Sequence, residues 1–215
     1  MFNILLVIFI IILATVYYIF LRKLYHSSNT IIGNDHIVYD KIMVVAHPDD
    51  ELIFGGRQLI EESGWLVICV TNGSINSSKT ADVRITEFKA VMNDLQCRYE
   101  IWDYEDDNFN ANWDEKSLLD QLAKTINCGT VTKIVTHNLQ GEYGHVQHKK
   151  ISKLIHQLGP TNLYVFHCDI NQLNSHLDKL SILLDHYSSQ SSIIQKHLED
   201  IKYQSIKPSS TSQVK

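Results

Sequence analysis

The sequence predicts an α/β protein: a Rossmann-like three-layer sandwich with a mainly parallel sheet, preceded by one N-terminal transmembrane helix. Three observations carry this expectation. From Ile42 onward, short apolar runs alternate with longer amphipathic stretches, the order that gives a parallel sheet covered by helices on both faces. Residues able to do chemistry follow the ends of those runs, at the edge where open α/β sheets bind ligands. Finally, Phe2 to Leu21 are nearly all apolar, enough to span a bilayer as a helix.

The elements follow in order. Ile42-Met43-Val44-Val45 is a continuous apolar run and predicts a buried strand over Ile42–Ala46. Further strands are expected at Leu66–Thr71, Tyr99–Asp103, Lys133–His137 and Leu163–His167. Helices are expected between them. Glu51–Ser63 is closed by Gly64, a good helix stop. In Asp82–Leu95, Ile85, Phe88, Met92 and Leu95 recur at helical spacing. Lys116–Ile126, Val146–Leu158, Ser175–His186 and Ile193–Ile201 complete the set. The expected organisation is an anchor over residues 1–23, a polar tether over 24–41, one catalytic domain over 42–206 and a Ser-rich tail over 207–215.

Tyr17 and Tyr18 suit a membrane interface, and Arg22 and Lys23 follow the apolar run with no Lys or Arg before it. The positive-inside rule then places the catalytic part in the cytosol. A cleaved signal peptide fits less well, because the run is long, has no basic leader and shows no small-x-small cleavage site. Two sequons, Asn72-Gly73-Ser74 and Asn76-Ser77-Ser78, would require the lumenal side if glycosylated; Asn, Gly and Ser also simply make turns. The net charge of −5 favours no nucleic-acid partner. Four scattered cysteines without a CxxC indicate neither a zinc ribbon nor a disulfide framework.

Two clusters stand out. Ala46-His47-Pro48-Asp49-Asp50-Glu51 follows the first strand, and Gly144-His145-Val146-Gln147-His148 follows the run Ile134-Val135-Thr136. His47 and Asp50, three residues apart at a helix start, can face one point. With His148 they form a His-Asp-His donor set that suits Zn²⁺ and leaves a position open for water, as a catalytic site requires; Fe²⁺ fits the same donors. Asp49 beside that water is the natural general base. His145 can stabilise an oxyanion or protonate a leaving amine. Taken singly, a His-Pro-Asp-Asp turn is often a helix cap and an HxxH is often a solvated helix face; it is the pairing that points to metal-assisted hydrolysis.

These motifs resemble those of the PIG-L-type zinc de-N-acetylases. Thr71-Asn72-Gly73, Arg84 with Glu87, Tyr104-Glu105-Asp106 and Tyr187-Ser188-Ser189-Gln190 are similar to further family segments, so the resemblance runs from Ile42 to Gln190. It implies a Rossmann-like fold and hydrolysis of the N-acetyl group of a GlcNAc-containing glycoconjugate, N-acetylglucosaminyl-phosphatidylinositol or another N-acetyl amino sugar. It implies the same roles: His47, Asp50 and His148 as zinc ligands, Asp49 as base and His145 as the oxyanion histidine. A membrane member of the family has an anchored cytosolic domain at the endoplasmic reticulum, a similar layout. Glu105 stands where the family has Pro. The loop from His137 to Tyr143 departs from the commoner form, which makes Glu142 and Tyr143 markers of a different acceptor.

Weaker residues carry two readings each. Arg84 binds a substrate phosphate or hydroxyl, or pairs with Glu87 on a helix face. Asp106 hydrogen-bonds sugar hydroxyls, whereas Asp103 and Asp107 are solvated. His137 supports the site from behind or is a simple loop residue, the second reading being preferred; Trp65, Trp102 and Trp113 stack on sugars or belong to the core, with Trp65 and Trp102 read as core; and His156, His176, His186 and His197 read as surface. The competing functions are a catalytically silent, membrane-anchored carbohydrate-binding protein on the same fold, which would need neither Asp49 nor His145, and a dinucleotide-binding protein, which would need the absent G-x-G-x-x-G turn.

Overall fold

The computed structural model describes residues 10–17, 30–74, 78–106, 110–127 and 131–209. The chain divides into two units, Met1–Ile31 and Ile32–Lys215. In the first, residues 10–17 are helical. Most of the expected transmembrane span, residues 2–21, lies outside the described residues, and among the described residues no helix is long and apolar enough to cross a membrane.

Alternating elements build the second unit. In chain order they are β1 (Ile31–Gly33), β2 (Lys41–Val45), α1 (Asp50–Glu61), β3 (Trp65–Thr71), α2 (Ser78–Asp94), β4 (Arg98–Tyr104), α3 (Glu115–Ile126), β5 (Lys133–Thr136), α4 (Val146–Leu158), β6 (Leu163–Cys168), α5 (Leu177–Leu184), a 3₁₀ turn (Ser188–Gln190), α6 (Ser191–Lys196), α7 (Leu198–Lys202) and β7 (Gln204–Pro208). The seven strands form one sheet in the order β1-β4-β3-β2-β5-β6-β7. Pairings β2–β3, β2–β5, β3–β4 and β5–β6 are parallel, and β6–β7 is antiparallel.

Period-two alternation distributes the apolar strand residues to both faces. Ile42, Val44, Leu66, Ile68, Val70 and Trp102 share one core with Leu118 and Leu122 of α3 and Ile151, Leu154 and Ile155 of α4. On the opposite face α1 comes close to the sheet at Gly55, where an added Cβ would stand 2.7 Å from Met43 Cε and 2.9 Å from Phe166. Only glycine allows that approach. Local signals set the ends. Asp114 caps α3 by accepting from the Lys116 and Ser117 amides, and α4 stops at Gly159 in the left-handed region. Trp65 and Trp102 are core, as expected.

Three local expectations change. β1 falls within the segment read as a tether: Gly33 lies against the Tyr99 ring, and the Asn34 side chain donates to the Cys97 carbonyl at 2.9 Å. β7 extends into the segment read as a tail, and its Gln204 side chain donates to the carbonyls of Leu52 and Ile53 and accepts from the Arg57 amide. Both are short edge strands with too little apolar periodicity to be read from sequence. The expected helix Ile193–Ile201 is two helices, α6 and α7, broken at His197. At the first sequon the Asn72 side chain accepts from the Ser74 amide at 3.0 Å, the turn geometry expected of the bland reading; Asn76 lies outside the described residues.

Candidate active site

β2 sits at the centre of the sheet, hydrogen-bonded to β3 on one side and β5 on the other. The strand order reverses there, which opens a crevice at the carboxyl ends of the strands. The chain leaves β2 into the turn Ala46–Asp49 and then α1, and leaves β5 into the loop 137–145 and then α4. Thr71 at the end of β3 ties the first turn down, its amide and hydroxyl both donating to the Ala46 carbonyl at 3.0 and 2.9 Å.

Those turns bring together three lone-pair atoms. His47 Nδ1 lies 3.1 Å from Asp50 Oδ2, His148 Nε2 lies 3.3 Å from the same oxygen, and the two nitrogens are 3.3 Å apart. Two donors bound to a tetrahedral zinc at about 2.0–2.1 Å each stand about 3.3–3.4 Å from one another. The triangle therefore fits one face of a tetrahedral ion. All three residues are buried.

The remaining ring nitrogens are each occupied by a protein partner. His47 Nε2 faces Gln147 Oε1 at 2.5 Å and Asp106 Oδ1 at 3.4 Å. Gln147 directs its amide NH₂ to the carbonyls of Asn110 (3.0 Å) and Glu105 (3.3 Å), so its oxygen is the end that meets His47. The His47 proton thus sits on Nε2 and leaves the Nδ1 lone pair for a metal. His148 Nδ1 donates to Glu142 Oε2 at 2.7 Å, which leaves Nε2 available. An oxygen acceptor behind each ligating imidazole is the usual way a metal site fixes tautomer and ring orientation. His137 differs. Its Nε2 accepts the Ala46 amide at 3.0 Å and its Nδ1 donates to Glu142 Oε2 at 2.9 Å, so neither nitrogen is left for an ion. It stacks on His148 with centroids 3.8 Å apart.

Two other donor groupings are geometrically close: His47, His145 and His148, and Asp50, His137 and His148. The nitrogen accounting removes the second. In the first, His145 replaces Asp50 and would leave a buried carboxylate between two imidazoles without a cation, which is costly.

Asp49 lies beside this triangle in a strained backbone conformation, φ 124°, ψ −31°. Strain of this kind persists only where the surroundings hold it. Here the Arg84 guanidinium, on α2, donates to the Pro48 carbonyl at 2.7 Å and to Asp49 Oδ1 at 3.3 Å. The Asp49 amide donates to Glu51 Oε2 at 3.0 Å. Glu51, fully buried, accepts the Tyr187 hydroxyl on Oε1 at 2.6 Å. Arg84 and Glu87 do not pair with each other. Arg84 reaches Asp49 and Asp106, and Glu87 accepts from the Ser189 amide and from the hydroxyls of Ser188 and Ser189.

The electrostatics favour a cation. Burial opposes charge on His47, but Asp50 and Asp106 outweigh it and push the ring up to about 10. His148 is also raised, burial being overcome by Asp50 and Glu142. Despite burial, Asp50 is held well below the ordinary carboxylate range by His148 and His47, and Glu142 falls to about 2 beside His137 and His148. Asp49 goes the other way: burial, assisted by Asp50, lifts it to about 7 against the pull of Arg84. Burial, then the charges of His47 and His148, lower His145 to about 4. A carboxyl near neutrality beside a donor set that attracts positive charge is the arrangement general-base hydrolysis needs.

The family described as “PIG-L: GlcNAc-PI de-N-acetylase” matches residues 42–158, the stretch that carries both clusters. This chain belongs to the PIG-L family. Within reach of this PIG-L chain is “Uncharacterized protein L374” of Acanthamoeba polyphaga mimivirus, 46% identical over 197 residues, covering 87% of this chain and 88% of that protein. Among solved structures, N,N'-diacetylchitobiose deacetylase from Pyrococcus horikoshii superposes with a TM-score of 0.59 at 14% identity, covering 79% of this chain and 84% of its own. The hydratase GalB from Pseudomonas putida KT2440 superposes equally well, with a TM-score of 0.60 at 17% identity, covering 82% and 100%. One scaffold thus carries a deacetylase and a hydratase, so the reaction of this PIG-L protein has to be argued from its site.

The expected residues His47, Asp49, Asp50, Arg84, Asp106 and His145 all line one cavity of about 140 Å³, and His148 lies directly behind it, in contact with His47 and Asp50. Arg84 and Asp106 are buried and bonded within the protein. Glu142 faces inward beneath His148 and His137 rather than toward an acceptor, whereas Tyr143 does line the cavity. His137 is a buried support of the site rather than a plain loop residue, and His197, read as surface, lines the cavity too. Sequence reasoning passed over Gln147 and the Glu51–Tyr187 pair. Gln147 lay inside the flagged GHxxH segment; nothing local links Glu51 to Tyr187.

Proposed function

We propose that this PIG-L protein is a metal-dependent hydrolase that removes the N-acetyl group from a GlcNAc-containing glycoconjugate, releasing acetate and a free amine. The observation that carries this reading is the triangle of His47 Nδ1, Asp50 Oδ2 and His148 Nε2 with Asp49 at its side in the same pocket. These three residues would hold the metal, Zn²⁺ or Fe²⁺. A zinc ion there supplies Lewis-acid polarisation of the amide carbonyl and an acidified water.

The protein's own groups do the rest. Arg84 fixes Asp49 through Oδ1, and among the described residues no hydrogen bond falls on Oδ2. In this reading Asp49 accepts the proton that the attacking water loses and passes it to the departing nitrogen. His145, with Nδ1 buried and without a hydrogen-bond partner in the protein, donates to the carbonyl oxygen as negative charge develops. Arg84 and Asp106 act by positioning Asp49 and His47. Bilayer attachment through residues 2–21 belongs to this reading on sequence grounds alone, and membrane fractionation of the full chain tests it.

The deciding experiment is acetate release from a panel of N-acetylglucosamine conjugates by metal-replete protein, with Asp49→Asn alongside. Release that is lost in the variant supports the reading. Sugar binding without acetate release would instead favour a catalytically silent carbohydrate-binding protein.

A further inference from the structure

A second hollow adjoins the segment that walls the catalytic cavity, and both lie beyond the family-matched residues 42–158. Gln190, Ile193 and His197 line the catalytic cavity, whereas Ser191, Ile194, Gln195 and Leu198 line the hollow. The hollow holds about 590 Å³ against about 140 Å³ for the catalytic cavity. α6 thus lines two separate spaces, and none of its six residues is buried. So short a helix has little stability of its own and depends on packing. The floor of the hollow is apolar and buried, formed by Leu184, Tyr187 and Ile201. Its edge is exposed and polar, with Ser181, Asp185, Ser191 and Gln195. An apolar centre inside a polar rim is the anatomy of a protein–protein contact.

The make-up of this surface selects what can cover it. Ile182 on α5 is 67% exposed. Ser181 before it and Asp185 one helical turn after it both line the hollow, so Ile182 stands at its edge. An apolar knob beside an apolar recess on one surface is self-complementary: across a two-fold axis, the knob of each copy enters the recess of the other. The charges agree. Asp185 and Lys202 are the only charged residues lining the hollow, and their signs are opposite. Asp185 has no side-chain partner among the described residues. Lys202 holds Glu199 at 2.8 Å in an exposed pair, which contributes little. An anionic or cationic ligand would be repelled by one of the two charges, whereas a two-fold axis lets each meet its opposite.

We propose that a second copy of this chain docks on the hollow across a two-fold axis, Ile182 of each protomer entering the recess of its partner, and that this contact braces α6 as the wall of the catalytic cavity. The test is sedimentation equilibrium of the full chain in density-matched detergent. The unmodified chain should sediment as two copies of the 24.7 kDa protein. Ile182→Glu puts a charge into the apolar recess and should weaken association at least about 10-fold. Asp185→Lys sets like charges against each other and should also weaken it, and combining it with Lys202→Asp should restore it, because the pair is then only exchanged. All these positions lie at the surface of the fold, outside the catalytic cavity. Bracing is read by hydrogen exchange: amides of residues 190–198 should exchange about 10-fold faster in Ile182→Glu than in the unmodified dimer. A monomeric unmodified chain would overturn the proposal. So would a dimer indifferent to Ile182→Glu and Asp185→Lys, the behaviour of a contact made through residues 2–21 or any other surface. Failure of the exchanged pair to restore association would refute the two-fold geometry, and unchanged exchange at 190–198 would refute the bracing.

Discussion

The turn that leaves β2 and the segment from Tyr187 to Asp200 line the same pocket, yet they are built differently. In the first, successive residues from Ala46 to Glu51 carry the proposed metal donors His47 and Asp50 and the proposed base Asp49 within one turn of chain, and the strand before them fixes where they point. In the second, the contacts that brace the pocket reach far along the chain: Tyr187 reaches Glu51 across 136 residues, and Ser189 reaches Glu87 across 102. The chemistry is local and the bracing is long-range. Damage to the turn should therefore abolish reaction at little structural cost, and damage to the segment should loosen the structure or change selectivity.

Asp49→Asn should show the largest effect. Removing a general base costs about 10²–10⁴-fold in turnover, and metal content should stay unchanged because Asp49 is not in the donor triangle. Loss of metal in that variant would mean that the turn's roles cannot be separated. Next comes Glu142→Gln. Both imidazole N–H groups of His137 and His148 fall on Glu142 Oε2, and losing such an outer carboxylate weakens metal affinity about 10–100-fold, read by chelator competition. Tyr187→Phe is expected to leave metal binding intact and lower unfolding stability by about 1–3 kcal/mol, since it strips a buried carboxyl of its donor. An unchanged denaturation midpoint would show the long-range brace to be idle. The smallest effect belongs to His186→Ala. That residue lies in the same C-terminal part of the chain but pairs with Asp94 at the surface, and exposed pairs contribute about 0–1 kcal/mol.

The same contrast sets what could be read from the sequence. Buried strands such as Ile42–Val45 and capped helices such as α3 announce themselves because the pattern that forms them lies within a dozen residues. His47, Asp50 and His148 were legible as donors because a strand end lies just before each cluster. Glu142 was visible as an unusual residue, but its direction depends on a positive φ of 55° that turns it beneath His148, and no spacing rule anticipates that. Gln147, Glu51 and His197 acquire their roles from partners on other elements. The edge strands β1 and β7 stayed hidden because three residues or a polar run give no periodicity to detect.

Everything turns on which atoms share the ion. Anomalous diffraction at the zinc edge from crystals of the zinc-loaded protein addresses this directly. The account predicts a single peak in contact with His47 Nδ1, Asp50 Oδ2 and His148 Nε2, with His137 and His145 outside the coordination sphere. No peak at this triangle, or a peak ligated by His145 in place of Asp50, would contradict it.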